Sequence, residues 1–324
     1  MSRFFTRLLL TGCLAILLFH CTQREPAEEK DLKICSFNIQ FLGHFKDKDD
    51  IGLAQVLKIY DVVVIQELVA PPCDGFYPDA SSYSADQEAR DFLQAMTERG
   101  FSYLLSEEDT GPGEMIHKIT SATEWWICFY KPDKVLPAPS LPAGFLANDR
   151  SANPYYERVP YAFALQTTDS KLDFVLITVH LKPDNNQSER RKQELTSINE
   201  WIHQHHAREK DFIILGDMNI YDQEELDYVI PPGFQSLNRK CLATNTNPAS
   251  PRPYDHVVYN PDFSIEVDSS SFQITDLRRE MKSFWTETGI AYPGEPYDHD
   301  LFRKYYSDHN PVSFIIKGGT IDDD

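Results

Sequence analysis

A chain of 324 residues that is 41% hydrophobic and 12% aromatic can bury one large core, and it carries no internal repeat, which excludes a solenoid or an array of small domains. Lys and Arg number 31 against 50 Asp and Glu, a formal charge of −19. So acidic a chain argues against gripping nucleic acid through a basic face, although a divalent cation and a few local arginines can still hold one phosphate.

The first segment, MSRFFTR, sets Arg3 and Arg7 ahead of an apolar run from Leu8 to Phe19. That run has signal-peptide length and is short for a bilayer span, so residues 1–20 are expected to direct export. Cys21 closes the run and the polar stretch TQREPAEEKD follows, giving a linker over residues 21–30. A lipidated Cys21 would follow the pattern of bacterial lipoproteins, but that pattern wants a small residue where His20 stands. Membrane attachment through Cys21 and plain secretion therefore both stay open.

From residue 31 to 318 the signals alternate as one domain. KICSFNI and DVVVIQ read as strands around a helical DIGLAQVLKIYD, and QEARDFLQAMTERG reads as a helix with a capping box from Ser84 to Gln87 and a stop at Gly100. FSYLL, EWWICFY, YAFALQT and DFVLITVH follow as strands. SERRKQELTSINEWIHQHH then puts Leu195, Ile198, Trp201, Ile202 and His205 on one helical face, with Arg190 and Arg191 near its start. DFIILGD, DHVVYN and PVSFIIK complete the strands. The pattern predicts an α/β protein built as a two-sheet sandwich flanked by helices, with the loops Val69–Tyr83 and Pro132–Pro160 rimming a cleft and residues 319–324 as a frayed tail. Beyond the leader, Cys35 and Cys128 sit in apolar runs as buried thiols, whereas Cys73 and Cys241 sit in loop-like sequence and could pair after export.

Five strings carry the chemistry, in this order: SFNIQ (Asn38), VVVIQE (Glu67), TVHLK (His180), GDMN (Asp217, Asn219) and SDHNPV (Asp308, His309). Each ends a β-branched or apolar run, so its polar residue emerges where a strand leaves a packed sheet. Glu67, Asn38, Asp217, Asn219 and Asp308 are hard oxygen donors suited to Mg²⁺ or Mn²⁺, with Ca²⁺ as a further candidate, and the absence of CxxC spacing disfavours zinc. His180 and His309 are the candidate proton carriers, since imidazole titrates near neutral pH. His203, His205, His206, His256 and His299 are expected on loops or a helix face, away from the metal.

The order and wording of the five strings resemble the endonuclease/exonuclease/phosphatase superfamily, which includes deoxyribonuclease I, abasic-site endonucleases, sphingomyelinases and inositol phosphatases. The resemblance runs from Leu32 to Lys317 and implies a four-layer α/β/β/α fold. It also implies that Glu124, in EWWICFYKPDKV, pairs with His180, that Asp255, in NTNPASPRPYDHVVYN, pairs with His309, and that Arg158 contacts phosphate. Arg190 and Arg191 stand between a solvated helix start and a phosphate contact, with Arg190 in the candidate phosphate-binding set beside Arg158 and Asn219. The chain departs from deoxyribonuclease I at Gln40, Val69 and Ala122, where two arginines and a tyrosine touch DNA, and LVA after Glu67 departs from the abasic-site enzymes. The leader and the resemblance together lead to the expectation of an exported, monomeric, divalent-metal-dependent phosphoester hydrolase. Its leading substrate is a phosphodiester of nucleic acid with weakened duplex contacts. The second reading is a lipid headgroup or small phosphorylated molecule, and a reading of another class is an inactive binding module, which the intact Glu67, His180, Asp217 and His309 oppose.

The leader reading has a direct test. If Cys21 is acylated, the mature protein partitions with membranes and Cys21→Ser releases it to the soluble exported fraction; wild-type protein free in the medium would exclude the anchor.

Overall fold

The computed structural model describes residues 31–319, so the leader, the linker 21–30 and the tail beyond residue 319 lie outside the described residues. In chain order the first half comprises β1 (Leu32–Leu42), α1 (Asp50–Leu57), β2 (Val62–Leu68), β3 (Gly75–Phe76), β4 (Ser82–Tyr83), α2 (Gln87–Thr97), β5 (Ser102–Leu105), β6 (Trp125–Tyr130), β7 (Val135–Pro137) and β8 (Gly144–Phe145). The second half comprises β9 (Tyr161–Thr167), β10 (Asp173–His180), α3 (Ser188–His205), β11 (Phe212–Asp217), α4 (Gln223–Val229), β12 (Gln235–Ser236), β13 (Asp255–Tyr259), β14 (Gln273–Ile274), α5 (Leu277–Glu280), α6 (His299–Tyr305) and β15 (Val312–Ile316).

Two sheets form. One runs β14-β15-β1-β2-β6-β5 and the other β12-β13-β11-β10-β9-β7, with β8 also on β9. The parallel pairs β1/β2 and β10/β11 lie at the centres of their sheets, each with a connecting helix on the outer face.

Strand periodicity divides the apolar residues into three cores. Ile34, Val62, Val64, Trp126, Cys128 on one sheet meet Phe174, Leu176, Ile213, Leu215 and Val257 on the other. The alternate residues Cys35, Phe37, Val63, Ile65 pack under Leu53, Leu57, Phe92 and Met96 of α1 and α2. Val175, Ile177, Phe212 and Ile214 pack under Leu195, Ile198, Ile202 of α3 and Leu226 of α4. Helices therefore cover both outer faces, which is the four-layer α/β/β/α arrangement.

Several local expectations change. The α2 cap is Asp86, whose side chain accepts from Glu88 N and Ala89 N, and not Ser84; an aspartate directly before the helix reaches these amides where Ser84 stands two residues too early. The long loops are partly ordered as strands: β3 and β4 form a hairpin within Val69–Tyr83, and β7 and β8 add to β9 within Pro132–Pro160. Cys73 and Cys241 are both free thiols, the first beside Tyr103 and the second packed on the core under α3 and α4, so no disulfide joins them. His256 is no loop residue; it is fully buried in β13 with Nδ1 2.8 Å from Ser236 Oγ, and burial lowers its pKa to about 4.

Arg191 is likewise buried, not solvated and not at a phosphate. Its guanidinium bonds Glu225 and the carbonyls of Lys182 (2.7 Å) and Asp184 (2.8 Å), while Glu194, one turn on, accepts from Glu157 N (2.7 Å) and Lys182 N (2.9 Å). The first turns of α3 thus fasten the chain just before Arg158 and just after His180.

Gly216 lets β11 approach β10. It sits at φ +142°, and a Cβ there would lie 2.0 Å from the Val179 carbonyl oxygen. Backbone cannot move aside cheaply, so Gly216→Ala is expected to cost roughly 2 kcal/mol or more in denaturant unfolding, and a loss below about 0.5 kcal/mol would show that the strands can part.

Candidate functional site

The inward-facing rows of the two sheets end together at one edge of the sandwich, and there they change from apolar to polar. On β1 the row Ile34–Ser36 continues to Asn38; on β10 the row Phe174–Leu176–Thr178 continues to His180; on β11 Ile213–Leu215 leads to Asp217; on β13 Tyr259–Val257 leads back to Asp255. His180 is paired in register with Asp217, and Asp217 with Asp255, so the three stand side by side across the sheet. Glu124 precedes β6 on the same parity as Trp126.

Glu67 breaks this rule. Its neighbour Gln66 takes the inward position, accepting from Ser36 Oγ (3.2 Å) and donating to Thr178 Oγ1 (3.1 Å) across the sheets. Glu67 reaches the site because β2 bulges between Ile65 and Leu68 and Glu67 itself adopts φ +61°. Gln40 (φ +54°), Phe41 (φ +53°) and Asn219 (φ +50°) are also left-handed, a concentration of costly backbone around one site.

Asp217 is the shared point. Its Oδ2 accepts from Asn38 Nδ2 (3.0 Å) and lies 3.6 Å from His180 Nε2 and 3.5 Å from His309 Nε2, while Oδ1 accepts from Asn219 N (2.9 Å). Asn38 Nδ2 also donates to Glu67 Oε1 (2.8 Å), whose Oε2 accepts from Phe41 N (3.1 Å). His180 Nδ1 is bound by Glu124, and His309 Nδ1 by Asp255 at 2.8 Å, so both pairs implied by the resemblance are present as contacts. Asp255 is held in turn by Thr244 Oγ1 (2.6 Å).

Arg158 Nε lies 2.9 Å from Glu124 Oε1 without hydrogen-bond alignment, and Nε and Nη1 are buried with no hydrogen-bond partner, donors left to spend on an incoming oxygen. Arg190 is not in this group: its Nη1 donates to Pro154 O (2.5 Å) and to Gln193 Oε1 (3.2 Å), which ties it to the preceding loop and away from Asp217. Sequence reading missed Ser307 and Thr244. Ser307 Oγ donates to Asn38 O (2.7 Å) and accepts from His309 N (3.0 Å), joining the first and last strings. Ser307 lies inside SDHNPV and was visible there; Thr244 had no signal in its loop.

The electrostatics favour a cation. Burial, with Asp308 and Glu124 nearby, raises the Glu67 pKa to about 7 against the pull of His180. Burial and Arg158 would lower that of His180, but Glu124 and Asp217 outweigh them and raise it; His309 is raised well above its ordinary value because Asp255 and Asp217 overcome burial. Burial alone would raise Glu124, yet His180 and Arg158 hold it low. Ligand atoms of Glu67, His180 and Asp217, and of Asp217, Asp255 and His309, lie within 4.8 Å of one another. Asp308 Oδ1 is buried without a hydrogen bond, and Asn38 Oδ1 accepts only from Gln40 N (2.9 Å), leaving one lone pair. Glu67, Asp308 and Asn38 thus offer oxygen donors amid an excess of buried carboxylates, and they fit a hard divalent cation.

No family model matches the chain, and no curated relative does. Solved structures do match. A Bacteroides thetaiotaomicron mannosyl-6-phosphatase superposes with TM-score 0.54 at 16% identity, over 88% of this chain and 100% of that one. An endonuclease/exonuclease/phosphatase protein from Bacteroides vulgatus gives 0.53 at 14%, over 89% and 99%, and D. rerio TDP2 complexed with a single-strand DNA product gives 0.51 at 16%, over 88% and 98%. The chain has the endonuclease/exonuclease/phosphatase fold. At these identities the likeness carries architecture, and the chemistry of this endonuclease/exonuclease/phosphatase scaffold rests on its own side chains.

The shifts predict how the metal-free protein responds to pH. Glu67 holds its proton more tightly folded than unfolded, so stability falls as pH rises from 4.5 to about 7. The raised histidines add stability that is complete below 6.5 and lost as pH climbs through their folded values. A divalent cation should therefore raise Tm more at pH 8 than at pH 5, and Glu67→Gln should shrink that difference. Equal shifts at both pH values would contradict a cation on Glu67.

Proposed function

We propose that the protein is a divalent-metal-dependent phosphoester hydrolase, exported by its leader. The observation that carries the reading is the convergence of two carboxylate-anchored imidazoles on one carboxylate, Asp217, beside the buried Glu67, whose charge His180 offsets only in part.

Each histidine has its Nδ1 committed to a carboxylate, which fixes the ring and leaves Nε2 to exchange a proton. Asp217, held by Asn219 N and Asn38, orients an attacking water between the two Nε2 atoms and accepts its proton. One protonated imidazole stabilises the charge growing on the phosphate oxygens while the other delivers a proton to the departing oxygen. Arg158, with Asn219, holds non-bridging phosphate oxygens. Glu67, Asp308 and Asn38 would hold Mg²⁺ or Mn²⁺, which when bound offsets charge growing on the phosphate oxygens.

The substrate is a phosphoester outside a duplex. Val69 and Gln40 are 1% and 4% exposed and Ala122 is half-buried, so where deoxyribonuclease I presents DNA-contacting side chains this chain turns residues inward. An arginine at Val69 would be buried and could not restore the contact. Nuclease-type cleavage of single strands is the first reading, supported by the TDP2 likeness. Hydrolysis of a small phosphorylated molecule is the second, supported by the mannosyl-6-phosphatase likeness.

Turnover is expected to vanish in chelator and return with Mg²⁺ or Mn²⁺. His180→Ala and His309→Ala should each lose on the order of 10² to 10⁴ in kcat, and Glu124→Gln and Asp255→Asn less, because they orient and do not transfer. Full activity in excess chelator, or a near-normal His309→Ala, would overturn the assignment.

A further inference from the structure

The wall of the site beyond His309 is aromatic and ends in a cation. The Tyr254 ring lies 5.7 Å from the His309 ring, and Tyr221 meets Tyr254 edge to face at 5.3 Å. The Arg252 guanidinium lies over the Tyr221 ring, 5.3 Å from its centroid. Its backbone is fixed: Arg252 N donates to Asn245 Oδ1 (2.8 Å), and its carbonyl accepts from Thr244 N (2.8 Å), the residue whose hydroxyl holds Asp255. Yet the guanidinium makes no hydrogen bond or ion pair with any described residue, and it is partly exposed. Of the other cations around the cluster, Lys182 is held by Glu157, Arg190 by Pro154 O and Arg191 by Glu225, while Arg158 stands against Glu124 with its free donors turned to the scissile phosphate. In a chain with 50 acids and 31 bases, a cation held over a ring beside the site and left without a carboxylate has its donors available for an anion from outside.

We propose that Arg252, seated on Tyr221, determines specificity by binding a second anionic group of the substrate. The rings of Tyr254 and Tyr221 separate Arg252 from His309, so the anion it takes is not the scissile phosphate but one placed beyond it. The substrate class is a phosphoester with a second phosphate, either the neighbouring phosphate of a single strand or the second phosphate of a small bisphosphorylated molecule. This rests on the phosphoesterase reading above.

Three substrates and one binding measurement test it. With Mg²⁺, wild type and Arg252→Ala are compared on bis(4-nitrophenyl) phosphate, which has no second anion, on a single-stranded DNA dodecamer and on inositol 1,4-bisphosphate. The variant should lose roughly tenfold to a hundredfold in kcat/KM, through KM, on whichever of the last two is the substrate, and stay within about twofold on the first. Arg252→Lys should recover part of the loss. A parallel fall on all three, or no fall on any, overturns the proposal. Calorimetric titration of pyrophosphate and of phosphate in Ca²⁺ needs no turnover and separates this failure from that of the phosphoesterase reading. Wild type should prefer pyrophosphate by about tenfold, and Arg252→Ala should lose that preference; a wild type without the preference, or a variant that keeps it, contradicts the inference even if phosphoesters are hydrolysed.

Discussion

The structure depends on burying one carboxylate, Asp217, between two sheets. Asn38 comes to it from one sheet and His180 from the neighbouring strand of the other, and His309 arrives on the turn before β15, so a single acceptor draws in partners from as far as 179 residues away in the chain. A buried carboxylate is tolerated only when its lone pairs are satisfied, and here every partner must be in place at once. This explains the local costs nearby: Gly216 in a conformation closed to other residues, left-handed Glu67, Gln40 and Asn219, and a bulge in β2. The apolar sandwich below, with Trp126, Phe163 and Phe174 fully buried, supplies the stability that holds them.

Charge is the second constraint. Glu67, Glu124, Asp217 and Asp255 are buried around His180, His309 and Arg158, with Asp308 at the rim. The histidines take part of the negative charge, which is why both are raised, and Glu67 is left in want of a cation. A phosphoester brings further negative charge, so a cation that serves the empty protein serves the substrate as well. The formal charge of −19 then works against long polyanions while leaving a local hold on one phosphate intact.

Much of this was legible because strand alternation is strict. Asn38, His180 and Asp217 fall on the parity of the inward apolar residues in their own strands, so the end of each apolar run names a residue at the site. Glu124 and Asp255 needed the resemblance, since one carboxylate ahead of a strand looks like any other. Glu67 was named by its string, but the bulge that turns it inward leaves no periodic signal. Arg190 and Arg191 show the limit most plainly: adjacent arginines at a helix start look alike in sequence, and helix rotation sends one to a loop carbonyl and the other to Glu225 in the interior. Val69 is similar, an apolar residue after a strand whose burial depends on how the Gly43 loop closes over Ala70.

The central claim is that a divalent cation sits against Glu67 at the meeting of the two sheets. The most direct measurement is an anomalous difference map from crystals grown with Mn²⁺ at a concentration that supports turnover. The account predicts a peak in contact with the Glu67 carboxylate and near Asp308, lost in Glu67→Gln. A strong peak elsewhere on the protein, with none at Glu67, would contradict it.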